Sequence, residues 1–94
     1  MRLSELLRNV RTLKADFDAE ITAIVTDSRK AESKSAFFCM NGSESFAKEA
    51  IKNGAAAVIS EKDTGENCVV VENITAALAK CCDNFSGIRQ NALK

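Results

Sequence analysis

The side chains that could do chemistry gather in two short stretches of this chain. The first is the run TDSRK at 26–30, where Thr26, Asp27, Ser28, Arg29 and Lys30 follow directly on the apolar run ITAIV. The second is NGSES at 41–45, which sets Gly42 beside Ser43, Glu44 and Ser45. Hydroxyls and backbone N–H groups donate and accept hydrogen bonds without changing charge near neutral pH, so they suit recognition better than proton transfer. Gly42 allows close approach of the backbone to a ligand, and a helix expected just after it would turn its N-terminus toward an anion. Together the stretches could hold a phosphorylated or nucleotide-like ligand. A plainer reading stands beside this one. Asp-Ser-Arg after a strand also makes an Asx-type turn with a surface ion pair, and Asn-Gly before a helix also makes a connection and cap. Spacing alone leaves both open.

Other chemistries are excluded or disfavoured by composition. The chain has no His, which removes the commonest general base and with it Ser–His and Cys–His nucleophilic pairs within this chain. No G-x-G-x-x-G and no G-x-x-x-x-G-K-[ST] segment occurs. The cysteines, Cys39, Cys68, Cys81 and Cys82, form no C-x-x-C pair, so no metal site and no catalytic residue is expected. They read as reduced core residues of a cytoplasmic protein. The 13 basic and 13 acidic residues cancel, which argues against a nucleic-acid partner. No apolar run approaches the length of a membrane span, and MRLSELLRNV lacks the form of a secretory signal.

Short elements must position these stretches within one domain spanning 1–94. Leu3, Leu6, Leu7 and Val10 fall on one helical face, with Ser4 as a candidate cap. EITAIVT at 20–26 reads as a strand ending at Thr26. SAFFCM at 35–40 and AAAVIS at 55–60 are continuous apolar runs, the pattern of strands buried on both faces. Between them SESFAKEAIKNG reads as a helix with Phe46, Ala47, Ala50 and Ile51 on its buried face, closed by Gly54. CVVV at 68–71 is a further strand. Ile74, Ala77, Leu78, Cys81, Cys82 and Phe85 then mark a final amphipathic helix, capped by Asn73 or Thr75 and ended at Gly87, with a polar exit strand or tail after it. The order α–β–β–α–β–β–α implies a small layered α/β domain with a largely parallel or mixed sheet flanked by helices. In such sheets ligands bind beyond the carboxyl ends of the strands, where both polar stretches fall.

The segment ITAIVTDSRKAESKSAFFCMNGSESFAKEAIKNGAAAVISEK resembles the N-terminal domain of the Mur ligases, ATP-dependent enzymes that add amino acids to the UDP-N-acetylmuramoyl-peptide precursor of peptidoglycan. The shared order is a strand, Asp27-Ser28-Arg29, a Phe-rich strand with Phe37 and Phe38 closed by Gly42, a helix with Ala50 and Ile51, and the run 54–58. The opening MRLSELL is most similar to the branch that adds the third amino acid, and most of the rest is shared with the branch that adds D-Ala-D-Ala. The resemblance implies a UDP-binding domain in cytoplasmic cell-wall synthesis, tied to cell shape and division. It points to Thr26, Ser28, Gly42, Ser43, Glu44 and Ser45 as substrate-binding residues. It implies that ATP and Mg are held in other domains of the family, absent from this chain, which alone is expected to be inactive. Its partners would be UDP-N-acetylmuramoyl-peptide and a central ATP-binding domain. The chain departs from the family where it has Ser33-Lys34-Ser35 in place of Pro-Gly-Asp, and in the short loop from Gly42 to Phe46. A structural or interaction domain that kept the fold without UDP binding is therefore the rival expectation.

Overall fold

The computed structural model describes the backbone at 1–40, 43–65 and 67–93, and the side chains of these residues except 43–44 and 86–93. The elements run α1 (Leu3–Leu6), β1 (Thr12–Lys14), β2 (Ala23–Val25), a 3-10 turn (Ser28–Lys30), β3 (Ser35–Phe38), a second 3-10 turn (Ser43–Phe46), α2 (Ala47–Lys52), β4 (Ala57–Ser60), β5 (Cys68–Val71) and α3 (Ile74–Leu93). One five-stranded sheet has the order β1-β5-β4-β3-β2. Strands β2 to β5 are mutually parallel, and β1 joins β5 antiparallel. The expected small α/β domain with a mixed sheet flanked by helices is what forms.

Strand β3 shows why the sheet is covered on both sides. Its side chains alternate between faces, as the two-residue period of a strand requires. Ala36 and Phe38 pack with Leu3, Leu6, Ile59, Val69, Ile74, Ala77 and Cys81 under α1 and α3. Phe37 and Cys39 pack with Ala47, Ala50 and Val58 under α2. Both faces are apolar because each must exclude water, so the run SAFF shows no alternation in sequence.

Several expectations are corrected. Ser4 is not the cap of α1. It lies inside that helix, where its N–H and hydroxyl donate to Asp18 at 3.1 Å each. Strand β1 was not foreseen, because Thr12-Leu13-Lys14 has neither a β-branched run nor a turn signal around it. Its pairing with β5 is a long-range event. Gly87 does not end α3, and the polar tail is helical to Leu93. A Gly in a helix interior costs only about 1 kcal/mol, less than the neighbouring helix formers can supply. Cys82 is exposed while Cys81 is buried. At about 100° per residue, Cys82 lies about 80° from Ile74 around the helix, at the rim of the apolar stripe.

Two expected signals act as read. Gly54 follows α2 with φ 115°, and a Cβ there would stand 2.9 Å from the Ser33 backbone nitrogen. Asn73 caps α3, its side-chain oxygen accepting from the Ala76 N–H at 3.0 Å. Glu61, from the loop after β4, adds a second cap by accepting from the Ile74 N–H at 2.8 Å.

Candidate functional site

Because β2 to β5 run parallel, their carboxyl ends share one edge of the sheet. The chain leaves β2 through Thr26 and turns at Asp27, whose extended backbone (φ −121°, ψ 122°) starts the 3-10 turn Ser28–Lys30. The Asp27 carboxylate does the turning. It accepts from the Arg29 backbone N–H at 2.9 Å, from Arg29 Nε at 3.2 Å and from Arg29 Nη2 at 2.9 Å. The Arg29 guanidinium and N–H together hold the Asp27 carboxyl down at about 2, and the Arg29 pKa is raised in return. The Asx-turn and ion-pair reading of this stretch is therefore what Asp27 and Arg29 form. It also fixes the positions of the hydroxyl residues on either side of Asp27.

Ser28 is anchored from a second direction. Its carbonyl accepts from Asn53 Nδ2 at 3.0 Å, tying the turn to the end of α2. Thr26, Asp27, Ser28, Arg29, Phe37, Phe46 and Glu49 line a groove of about 430 Å³. Thr26 is exposed and Ser28 is buried. The structure thus brings together two of the expected site residues, Thr26 and Ser28. Ser45 is exposed in the second 3-10 turn, one residue before the groove wall, and does not line the groove. Ser43 and Glu44 share that turn, but their side chains lie outside the described residues, as does Gly42 altogether. The expected helix N-terminus after Gly42 is replaced by this 3-10 turn, and α2 begins only at Ala47 with no side-chain cap.

The sequence does not place Phe46 and Glu49 at the groove that they line, nor Asn53 at the turn that it holds. Phe46 was assigned to the buried face of α2, yet it is 49% exposed. It ends a 3-10 turn, where residues wind by about 120° each, so the α-helical spacing that placed it with Ala47 and Ala50 does not hold there. Glu49 lies off the apolar stripe as expected, and that is why it faces the groove. The groove holds two carboxylates, Asp27 and Glu49, against one guanidinium, so it carries no excess of positive charge for an anion.

No family model matches the chain. Its sequence is 38% identical over 94 residues to a UDP-N-acetylmuramoyl-L-alanyl-D-glutamate–2,6-diaminopimelate ligase of Caldanaerobacter subterraneus, covering 90% of this chain and 20% of that protein. It is 36% identical over 103 residues to the ligase of the same name from Alkaliphilus oremlandii, covering all of this chain and 21% of that one. In structure it matches MurF of Acinetobacter baumannii with a TM-score of 0.66 at 24% identity, covering 86% of this chain and 20% of that one. The chain is a homologue of the N-terminal domain of the Mur ligases. The fold match to MurF accounts for the five-stranded sheet and its helices as a Mur ligase N-terminal architecture. This chain spans about a fifth of the length of the curated Mur ligases it matches.

Proposed function

We propose that this domain binds the uridine diphosphate end of a UDP-N-acetylmuramoyl-peptide for a ligase of peptidoglycan precursor synthesis. The observation that carries the reading is the groove at the carboxyl edge of the parallel strands, lined by Thr26 and Ser28, in a homologue of Mur ligases. That edge is where open α/β sheets take ligands. The branch that adds an amino acid to the muramoyl-dipeptide is favoured over the D-Ala-D-Ala branch, since relatives named for the former reach 43% identity. Substrate recognition here needs no acid or base. Thr26 and Ser28 supply hydroxyls, and Asp27 with Asn53 holds the 3-10 turn in shape, the Arg29 and Lys30 N–H groups being engaged by Asp27 itself. We assign ATP and magnesium to another domain. This chain has no phosphate-binding Gly-Lys loop, and among the described residues no three metal-ligating side chains cluster. Both would belong to a separate ATP-binding domain, the partner we propose for this one.

An amide chemical-shift titration of the protein with UDP tests the reading. Shifts should cluster at 26–29, 45–46 and 49, with a dissociation constant on the order of 1 mM, about −4 kcal/mol. Ser28→Ala should weaken binding by about 0.5–1.5 kcal/mol, the net worth of one hydrogen bond. Glu49→Gln should strengthen it, because a like charge beside the diphosphate is removed. The two carboxylates in the groove favour a second reading, a domain that kept the fold and lost the ligand. A folded sample with no shifts at saturating UDP would establish that reading in place of the first.

A further inference from the structure

We infer that Phe46 is a base-stacking wall, and that this domain grips the nucleoside end of its ligand more firmly than the phosphate end. The inference rests on the nucleotide reading of the groove and adds to it a residue and an order of importance.

Among the described residues the exposed large hydrophobics are Leu13 and Phe46. Leu13 lies on the edge strand β1 at the far side of the sheet from the groove. Phe46 instead forms a wall of the groove that Thr26 and Ser28 line. The other aromatic ring there, Phe37, is 1% exposed, so it has no open face to offer. The chain contains no Trp, Tyr or His that could stack a base in its stead. An exposed ring that flanks hydroxyls has two functions available at once. The ring takes the flat face of a base, and the hydroxyls meet its polar edge.

The charges in the groove argue against phosphate as the dominant contact. Arg29 is 80% exposed on its side chain but already holds Asp27 through Nε and Nη2. The Asp27 carboxylate offsets the charge of that guanidinium, and a diphosphate bears the repulsion of Glu49 as well. Lys30 is exposed on the same turn, where solvent and salt screen it. Stacking on Phe46 meets no such opposition, and it does not depend on salt.

Titrations of the folded protein with uridine, UDP and inorganic pyrophosphate separate these contributions. Uridine should bind within about threefold of UDP, pyrophosphate should give no shifts, and uridine affinity should change little with ionic strength. Uridine H5 and H6 should move upfield on binding, the ring-current mark of a stacked base. Phe46→Ala should weaken uridine and UDP alike by on the order of tenfold. Phe46→Leu, which keeps apolar bulk but has no π face, should lose the same, while Phe46→Trp should bind at least as well as Phe46. If UDP binds but uridine does not, or if Phe46→Leu binds like the parent, stacking is refuted while the nucleotide groove stands. If neither uridine nor UDP binds the parent protein, the groove reading and this inference fail together.

Discussion

Asp27 and Cys81 show what single residues contribute. The Asp27 carboxyl is held at about 2, against an ordinary value of 3.8, chiefly by its hydrogen bonds from Arg29. A depressed carboxylate stabilises the folded state above its unfolded pKa and loses that contribution as pH falls toward the folded value. The turn at 27–29 should therefore be unchanged at neutral pH and should loosen between about pH 4 and 2. A carboxyl-carbon NMR titration checks this: the Asp27 midpoint should lie at about 2. In Arg29→Ala it should return toward 3.8. Cys81 is buried, and loss of water around it pushes its thiol up to about 12. Since the thiolate is the reactive form, Cys81 should resist alkylation, while exposed Cys82 reacts in its stead. Mass spectrometry of the native protein after brief thiol labelling should find Cys82 modified and Cys81 bare. Cys81→Ser should cost about 1–3 kcal/mol, as a hydroxyl buried there has no assured partner.

At the scale of elements, the turn that leaves β2 depends on how α2 ends. The six residues of α2 carry no side-chain cap at the start. At the other end Asn53 reaches the Ser28 carbonyl, and Gly54 passes within close contact of Ser33 and Glu32, the segment that leads into β3. One corner thus fixes both the β2 exit turn and the entry to β3. Gly54→Ala should be destabilising by at least about 1 kcal/mol, since it adds left-handed strain to a clash with backbone. A urea-unfolding midpoint that falls, together with altered amide shifts at 27–29, is the expected outcome. An unchanged midpoint would show that the backbone yields there at little cost.

At the scale of the whole molecule, a 94-residue chain builds a three-layer core by using the sheet twice. Phe38 is fully buried at the centre of the larger layer, among residues from α1, β4, β5 and α3. Phe38→Ala should cost about 3–5 kcal/mol, a large share of the stability of so small a domain. Thermal denaturation by circular dichroism should show this variant melting far below the parent, or already unfolded at room temperature. Phe46→Ala, on an exposed ring, should leave the melting temperature nearly unchanged in the same experiment.

Local chemistry made much of this legible in advance. The buried strands at 35–38, 57–60 and 68–71 announced themselves because a strand covered on both faces must be apolar throughout. Gly54 and Asn73 were readable because left-handed backbone and helix capping each demand particular residue types. The Asp27 turn and the strand-end placement of Ser28 followed from the same local rules. Strand β1 was not legible, since Thr12, Leu13 and Lys14 take strand form only by hydrogen bonding to β5 more than fifty residues later. The exposure of Phe46 and the Glu49 carboxylate in the groove were also decided in tertiary structure. Periodicity says which side of a helix is apolar, but the 3-10 entry rotates Phe46 off that side, and only the packing of α2 beside the 28–30 turn makes a groove there. Which polar side chains end up facing one another across space is set by long-range packing, and no local pattern encodes it.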